Sequence, residues 1–280
     1  MKKNKKFKLG FLGIGRMAEI LLRAMLKSKA IKASEVLVSR NSQSALKKIA
    51  RELKVHTTQD NCEIAQQCEQ IWLGIKPFQA GKVLSEIKPY LTKDQTLVSM
   101  MAGISLNFLK SLSGGKAALV RMMPNTPCLI GEGLIGIYFP PKTKIQTRKL
   151  LLTLLNQAGK ISVCKRETDL DAITGLSGSG VAFVYHLAQG LIEGGIESGL
   201  SAKQASEIAL QTLFGASRML EESQSSPESL VAQVVSKGGT TEAGLRVLNQ
   251  GAGKDWLAKA VVEATRRAGE IREENNRCIS

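Results

Sequence analysis

Gly13, Gly15 and Ala18 stand in the spacing G-x-G-x-x-A. They follow the apolar residues Phe7, Leu9, Phe11 and Leu12 without a break, and Ile20, Leu21, Leu22, Ala24, Met25 and Leu26 then recur at helical spacing. A strand that turns through glycines straight into a helix suits a dinucleotide pyrophosphate. Gly13 permits the turn, Gly15 lets the backbone come close to the phosphates, and small Ala18 lets helix lie on strand. The free amides and positive dipole of the new helix face the anion. An ordinary glycine turn has the same spacing; its place directly behind the first strand favours a cofactor.

The second expected strand, 35–39, ends in Ser39-Arg40-Asn41. An acidic residue at that point would bind the ribose hydroxyls of NAD. A hydroxyl, a guanidinium and an amide instead suit the 2′-phosphate of NADP, with Arg40 able to pair with it in a forked geometry. A polar turn with a helix N-cap at Asn41 or Ser42 is compatible with the same residues. NADPH is therefore the expected donor, with NADH the alternative.

Two later stretches combine bare glycines with hydroxyls: Leu-Ser-Gly-Ser-Gly at 176–180, and Ser236 with Gly-Gly-Thr-Thr at 238–241. Each precedes a helical pattern. One reading is a flexible interhelical connection with Ser and Thr caps; the other is a carboxylate site built from backbone amides and hydroxyls. Following a nucleotide-binding half, the second is preferred.

The elements that must position these groups alternate. Short apolar runs at 54–56, 70–74, 96–99 and 118–121 lie between helical patterns at 42–53, 63–68, 78–87 and 105–112. This alternation predicts a doubly wound parallel sheet, in which ligands sit beyond the carboxyl ends of the strands. Runs at 133–138 and 160–163, around a helix at 144–157, extend the sheet. From about Glu167 only helical patterns remain: 169–176, 180–199, 201–222, 227–235, 240–248 and 256–273. Gly190, Gly194 and Gly195 inside the second of these predict close helix packing, since each glycine costs ~1 kcal/mol against alanine in a helix. The predicted domains are 1–165, dinucleotide-binding, and 166–280, helical, with a subunit interface in the latter.

Composition limits the partners. The 280 residues are 43% hydrophobic, as a folded globular chain requires. No apolar stretch of about 18 residues is present to span a membrane. The basic amino end is followed by glycines and a strand rather than by a secretory apolar region. The net charge of +15 raises nucleic-acid binding, but Lys2, Lys3, Lys5, Lys6 and Lys8 belong to an expected solvated tail. Only 4% of residues are aromatic and able to stack on bases. A basic surface that attracts phosphorylated cofactors is the simpler account. Five cysteines (Cys62, Cys68, Cys128, Cys164, Cys278) without a C-x-x-C pair, and two histidines, point to no metal site and to reduced thiols in a cytoplasm.

The chain resembles the pyrroline-5-carboxylate reductase family along its whole length. The resemblance rests on G-x-x-G-x-G-x-M-A at 10–18, Lys76-Pro77, Ala102-Gly103-Ile104, Arg-Met-Met-Pro-Asn-Thr-Pro at 121–127, and the two glycine-hydroxyl stretches. It implies an N-terminal Rossmann-type domain and a C-terminal helical dimerisation domain, often in larger rings. It also implies hydride transfer from NAD(P)H to the imine carbon of 1-pyrroline-5-carboxylate, giving proline. Matched by position, Thr241 would hydrogen-bond the ring nitrogen, and Ser236 with the amides of Gly239, Thr240 and Thr241 would hold the carboxylate. Glu167 matches a substrate-side acidic position. Leu12, Gly13, Ile14, Gly15, Arg16, Met17, Ser39, Arg40, Asn61, Ile75, Lys76, Pro77, Ala102 and Gly103 match the cofactor side. Val181 and Lys237 stand where the family has proline. A β-hydroxyacid dehydrogenase would need a lysine and an amide four residues apart on the helix after Gly180; Tyr185, His186 and Gln189 are there, without the lysine.

Overall fold

The computed structural model describes residues 6–277, so Lys2, Lys3, Lys5 and Cys278 lie outside the described residues. Internal contacts divide the chain into two compact units. One is Met1–Gly178 with Ala264–Ser280, and the other is Ser179–Glu263.

The first unit is an eight-stranded sheet built from β1 (Phe7–Leu12), β2 (Val36–Ser39), β3 (His56–Thr58), β4 (Cys68–Leu73), β5 (Thr96–Ser99), β6 (Ala118–Pro124), β7 (Gly133–Tyr138) and β8 (Gly159–Cys164). Their order is β3-β2-β1-β4-β5-β6-β7-β8. The helices α1 (Arg16–Lys27), α2 (Gln43–Leu53), α3 (Asn61–Gln67), α4 (Ala80–Ile87), α5 (Leu106–Ser113) and α6 (Ile145–Leu155) make the crossovers. Strand order reverses between β1 and β4, which places a crevice at their carboxyl ends.

Successive strand residues feed opposite faces. Trp72 and Val98 belong to the buried cluster that includes α1 and α6 residues; Ile71, Leu73 and Leu97 belong to the cluster that includes α3, α4 and α5 residues. Phe11 and Trp72 stack with ring centroids 5.6 Å apart.

The pairing departs from the expected parallel sheet at one place: β6 and β7 are antiparallel. The connection between them holds only a short 3-10 turn, Thr126–Ile130. A parallel crossover needs a dozen or more residues. The α6 crossover then makes β8 parallel to β7. Cys68, expected in a helix, begins β4 and is buried. The third strand starts at His56 rather than Lys54, which ends α2 in a left-handed conformation. Lys8 belongs to β1 rather than a tail and pairs with Glu35 at 2.7 Å.

The stretch expected as an open loop at 176–180 is wound instead. Helix α7 (Asp169–Ile173) runs into a π-turn over Thr174–Gly178. Thr174 Oγ1 donates to the Leu170 carbonyl at 2.7 Å, a back-bond that competes with the regular helix ladder where the turn widens. Asn125 Nδ2 donates to Ser177 Oγ at 3.0 Å and to its carbonyl at 3.3 Å.

The second unit contains α8 (Gly180–Glu197), α9 (Ala202–Glu222), α10 (Pro227–Val234), α11 (Thr240–Gln250) and the start of α12 (Gly253–Arg277). Ser201 and Gln204 form a capping box at α9, and Ser226 caps α10 ahead of Pro227. Of the three α8 glycines, Gly195 serves packing inside this unit: a methyl there would stand 3.0 Å from the Ala205 methyl. Gly190 and Gly194 have nothing within 4 Å of the same position.

Candidate active site

A cavity of about 770 Å³ opens at the reversal point of strand order. Gly13, Ile14 and Gly15 form one wall, Gly74, Ile75 and Lys76 another, and Ser39, Arg40, Asn41 and Ser42 a third. Gly13 has φ +75°, and a methyl on it would stand 2.6 Å from Ile75 Cγ2. Only glycine fits this turn. Ala18 lies against the end of β4, where a methyl on Gly74 would come 2.8 Å from its own. Gly15 is the N-cap of α1, so the first-turn amides of that helix have no intrahelical acceptor.

Polar side chains brace the floor. Ser39 is buried, accepts from the Gly13 amide at 3.4 Å and pairs with Asn61 Oδ1 at 2.8 Å. Asn61 Nδ2 in turn donates to Glu86 Oε2 at 3.2 Å. Arg40 is exposed and reaches back to the Ile14 carbonyl at 3.3 Å. Ser42 caps α2 by accepting from the Ala45 amide. The Ser39 hydroxyl thus works as a strut beneath the turn, while the charge available to a ligand belongs to Arg40, Lys76 and Lys82. Asp60 and Cys62 stand next to Glu86; Asp60 is occupied as the α3 N-cap, accepting from the Cys62 amide at 2.8 Å.

Eight of the residues expected on the cofactor side meet here: Gly13, Ile14, Gly15, Ser39, Arg40, Asn61, Ile75 and Lys76. Leu12 is core, the last residue of β1. Arg16 and Met17 open α1, and Arg16 borders a separate small cavity with Glu19 and Leu129. Pro77 begins the 3-10 turn Pro77–Gln79. Ala102 and Gly103 lie beyond β5, Ala102 exposed and Gly103 buried.

Gln59 also lines the cavity, as do Phe78, Gln79, Lys82, Val83 and Glu86, a group from one helical stretch that was not foreseen. Their spacing is the signal that would have found them: one face of a helix that begins right after Lys76-Pro77. Phe78 is 80% exposed.

Glu167 lies in the sheet unit, and its carboxylate is engaged. Its Oε1 accepts from the Leu106 amide at 2.8 Å and from Arg121 Nη1 at 3.1 Å. Ser236, Gly239, Thr240 and Thr241 lie together in the helical unit. Gly239 is the N-cap of α11; Ser236 and Thr240 are exposed and Thr241 half-buried. The Gly239 amide donates to the Ser236 carbonyl at 3.0 Å, and the Gly238 amide to Glu242 Oε2 at 2.6 Å. Of the three amides assigned to a carboxylate, Gly239's is therefore bonded inside the loop, while Thr240 and Thr241 belong to the first helical turn, which has no intrahelical acceptor for them.

A doubly wound sheet with a glycine turn at its reversal point, and a helical unit after it, defines a dinucleotide-dependent oxidoreductase of the Rossmann type. Comparison with known proteins narrows this. Residues 8–103 match the family described as NADP oxidoreductase, coenzyme F420-dependent, and residues 167–271 that described as pyrroline-5-carboxylate reductase dimerisation. Pyrroline-5-carboxylate reductase 3 of Rattus norvegicus is 36% identical, covering 94% of this chain and 96% of its own. Pyrroline-5-carboxylate reductase 2 of Bacillus subtilis is 32% identical over 95% and 96%. The crystal structure of Plasmodium falciparum pyrroline carboxylate reductase with NADP bound superposes with a TM-score of 0.86 at 30% identity, covering 96% of this chain and 100% of that one. The chain belongs to the pyrroline-5-carboxylate reductase family.

Proposed function

We propose that this protein reduces the imine of 1-pyrroline-5-carboxylate to L-proline with NADPH, the last step of proline biosynthesis, and uses NADH less well. The observation that carries this reading is identity with reductases of that name over nearly the full length of both chains. The cavity residues fit the cofactor: a turn that admits no side chain at Gly13, an open helix N-terminus, and an exposed Arg40 in place of an acidic residue. NADPH supplies a hydride to the imine carbon, and a proton goes to the ring nitrogen. The open first-turn amides of α1, from Arg16 and Met17 onward, face the pyrophosphate behind the turn at 13–15, with Asn61 bracing the floor. Arg40, with Asn41, takes the 2′-phosphate above the strut formed by Ser39, and Ile75, Lys76, Pro77, Ala102 and Gly103 border the nicotinamide end.

On the substrate side, Thr241 hydrogen-bonds the ring nitrogen, its hydroxyl donating to the imine or accepting from the iminium. Ser236 and the amides of Gly239, Thr240 and Thr241 hold the carboxylate, with Glu167 on the substrate side. An iminium needs little acid–base help, so the hydroxyl orients rather than activates. The dinucleotide half is 1–165 and the helical half 166–280. The latter leaves apolar side chains exposed and matches a dimerisation family, which supports a homodimer that could build larger rings. Among the described residues Cys62, Cys68, Cys128 and Cys164 form no disulfide, in keeping with a cytoplasmic enzyme. A second reading, a related imine acid or β-hydroxyacid as substrate, draws on Lys237, an exposed cation beside Ser236 where the family has proline.

The test is loss of reduced-nucleotide absorbance on adding 1-pyrroline-5-carboxylate, with NADPH and NADH run in parallel. Rapid oxidation with NADPH ahead supports the reading; binding of NADPH without oxidation moves the assignment to another imine. Thr241→Ala is expected to lower kcat by about fivefold, the effect of one orienting hydrogen bond, with NADPH affinity unchanged. Wild-type turnover would remove Thr241 from the mechanism.

A further inference from the structure

The turn 101–105, beyond the carboxyl end of β5, is held by the far end of the chain. Gly103 has φ +67°, and a methyl on it would stand 2.6 Å from Ile271 Cγ2 and 2.8 Å from Asn275 Nδ2. Asn275 Nδ2 donates to the Gly103 carbonyl at 3.2 Å. One residue further, Asn276 Oδ1 accepts from Ser105 Oγ at 3.2 Å and from the Ser105 amide at 3.5 Å. Ala102, next to this clamp, stays exposed.

A buried ionic chain anchors the same region. Glu167 holds the Leu106 amide and Arg121, which is 1% exposed. Arg121 Nη2 lies 3.8 Å from Asp171 Oδ1, and Arg272 Nε of α12 lies 3.0 Å from Asp171 Oδ2. The Nε groups of both arginines have no aligned hydrogen-bond acceptor. Around the buried Arg121 and Asp171, such ion pairs add little net stability, but losing one partner would leave a charge buried and unpaired. The chain Leu106–Glu167–Arg121–Asp171–Arg272 and the asparagine clamp converge on one short turn from two directions.

We propose that Asn275 is a positioning residue for the cofactor: it orients the 102–103 backbone, through the Gly103 carbonyl, so that the exposed side of the turn meets the nicotinamide end of NADPH. Arg272 supports Asn275 by fixing the helix that carries it. The inference rests on the assignment of Ala102 and Gly103 to the cofactor side, and extends that site to a segment 172 residues further along the chain. A helix that merely filled space here would need neither the amide donor at 275 nor the acceptor at 276. Side chains that act through another group to set its geometry commonly shift affinity without touching the ligand.

The experiment is direct NADPH binding to the full-length protein, followed by fluorescence, together with steady-state kinetics. Asn275→Asp keeps the size and removes the donated N–H; it is expected to raise the NADPH Kd and KM by about fivefold, the effect of one hydrogen bond. The kcat at saturating NADPH should stay within about twofold, and the KM for the imine should not move. Glu273→Gln, an exposed change on the same helix, is the control and should match wild type. An Asn275→Asp protein that binds NADPH like wild type, whatever its Tm, overturns the proposal. Should that variant not fold, Asn276→Ala with hydrogen exchange of the amides at 103–106 decides: faster exchange with weaker NADPH binding supports the clamp, and unchanged exchange overturns it. Should wild type bind neither NADPH nor NADH, the cofactor assignment fails on its own, and exchange at 103–106 in Asn275→Asp still decides whether the clamp exists.

Discussion

In the sheet unit Phe11 and Trp72 are 0% exposed and Arg121 1%, whereas in the helical unit Ala205 and Ala209 are the buried residues among those described, and Phe214 and Leu210 are 63% and 55% exposed. Both units are built of regular elements. The difference lies in what their apolar side chains meet. A sheet flanked by helices covers both of its faces within one chain. The helices α8 to α11 present apolar side chains that nothing in their own unit covers, and exposed patches of that kind belong to surfaces that meet another molecule. One unit is stabilised by its own core; the other matches a dimerisation family and presents apolar faces of the kind that meet another molecule.

The largest effect expected from this contrast is at Trp72. Trp72→Ala should cost about 3–5 kcal/mol, the range for truncating a buried aromatic. The loss should read as a fall in Tm that is the same at every protein concentration, because the core is internal. A loss that shrank as concentration rose would mean that the sheet unit too depends on association. Trp72 Nε1 has no hydrogen-bond partner, so Trp72→Phe forfeits packing volume without leaving a polar group orphaned and should cost much less.

Next in size is the apolar face of α9. Phe214→Glu with Leu210→Glu removes nothing buried in the single chain, so dilute protein should keep its helicity. Association, however, stabilises by mass action, about 2.7 kcal/mol at a concentration a hundredfold above the dissociation constant. The double variant should therefore lose the rise of Tm with concentration and sediment as a smaller species. An unchanged sedimentation coefficient would place the subunit contact elsewhere and remove the contrast between the two units.

The same contrast explains what could be read from residues alone. Apart from the polar His56–Thr58, the strands on either side of the crevice are apolar runs closed by a glycine or a polar turn, so the doubly wound order and the crevice at Gly13 and Ile75 follow from local pattern. The antiparallel β7 was equally legible in the short 125–132 connection, but only once chain length is weighed against crossover length. The π-turn at Thr174 was not legible, because a Ser-Gly stretch reads as loop unless the Leu170 carbonyl and Asn125 that hold it are known. The α8 glycines suggested faces that could be approached closely, and of the three only Gly195 is met within its own unit. For Thr241 and Ser236 the residues alone indicated an anion site, and the resemblance supplied the roles. Glu167 is the instructive case: matched by position as a substrate-side acid, it is held by Arg121 and the Leu106 amide, partners that no local spacing announces.

The smallest effects concern surface carboxylates, where the two units should behave alike. In the sheet unit the Arg166 amide, then the Arg166 side chain, hold the Asp169 carboxyl below its usual range. In the helical unit the backbone amide of Glu228 itself and the Ser226 hydroxyl do the same for Glu228 at the start of α10. A carboxyl with a lowered pKa contributes stability that is present above the unfolded value and is lost as pH falls through the folded one. Asp169→Asn and Glu228→Gln should each lower Tm slightly at pH 7, and both gaps should narrow in acid as pH falls through the lowered folded values. Asp171 runs the other way, since burial pushes its carboxyl up against the pull of Arg272 and Arg121; its share of the stability improves as pH falls. Thermal melts at pH 7 and in acid check the pair. Gaps that close together leave apolar burial as what separates the units; a gap that persists in acid for Glu228→Gln alone would mean that the helical unit also owes its stability to surface charge.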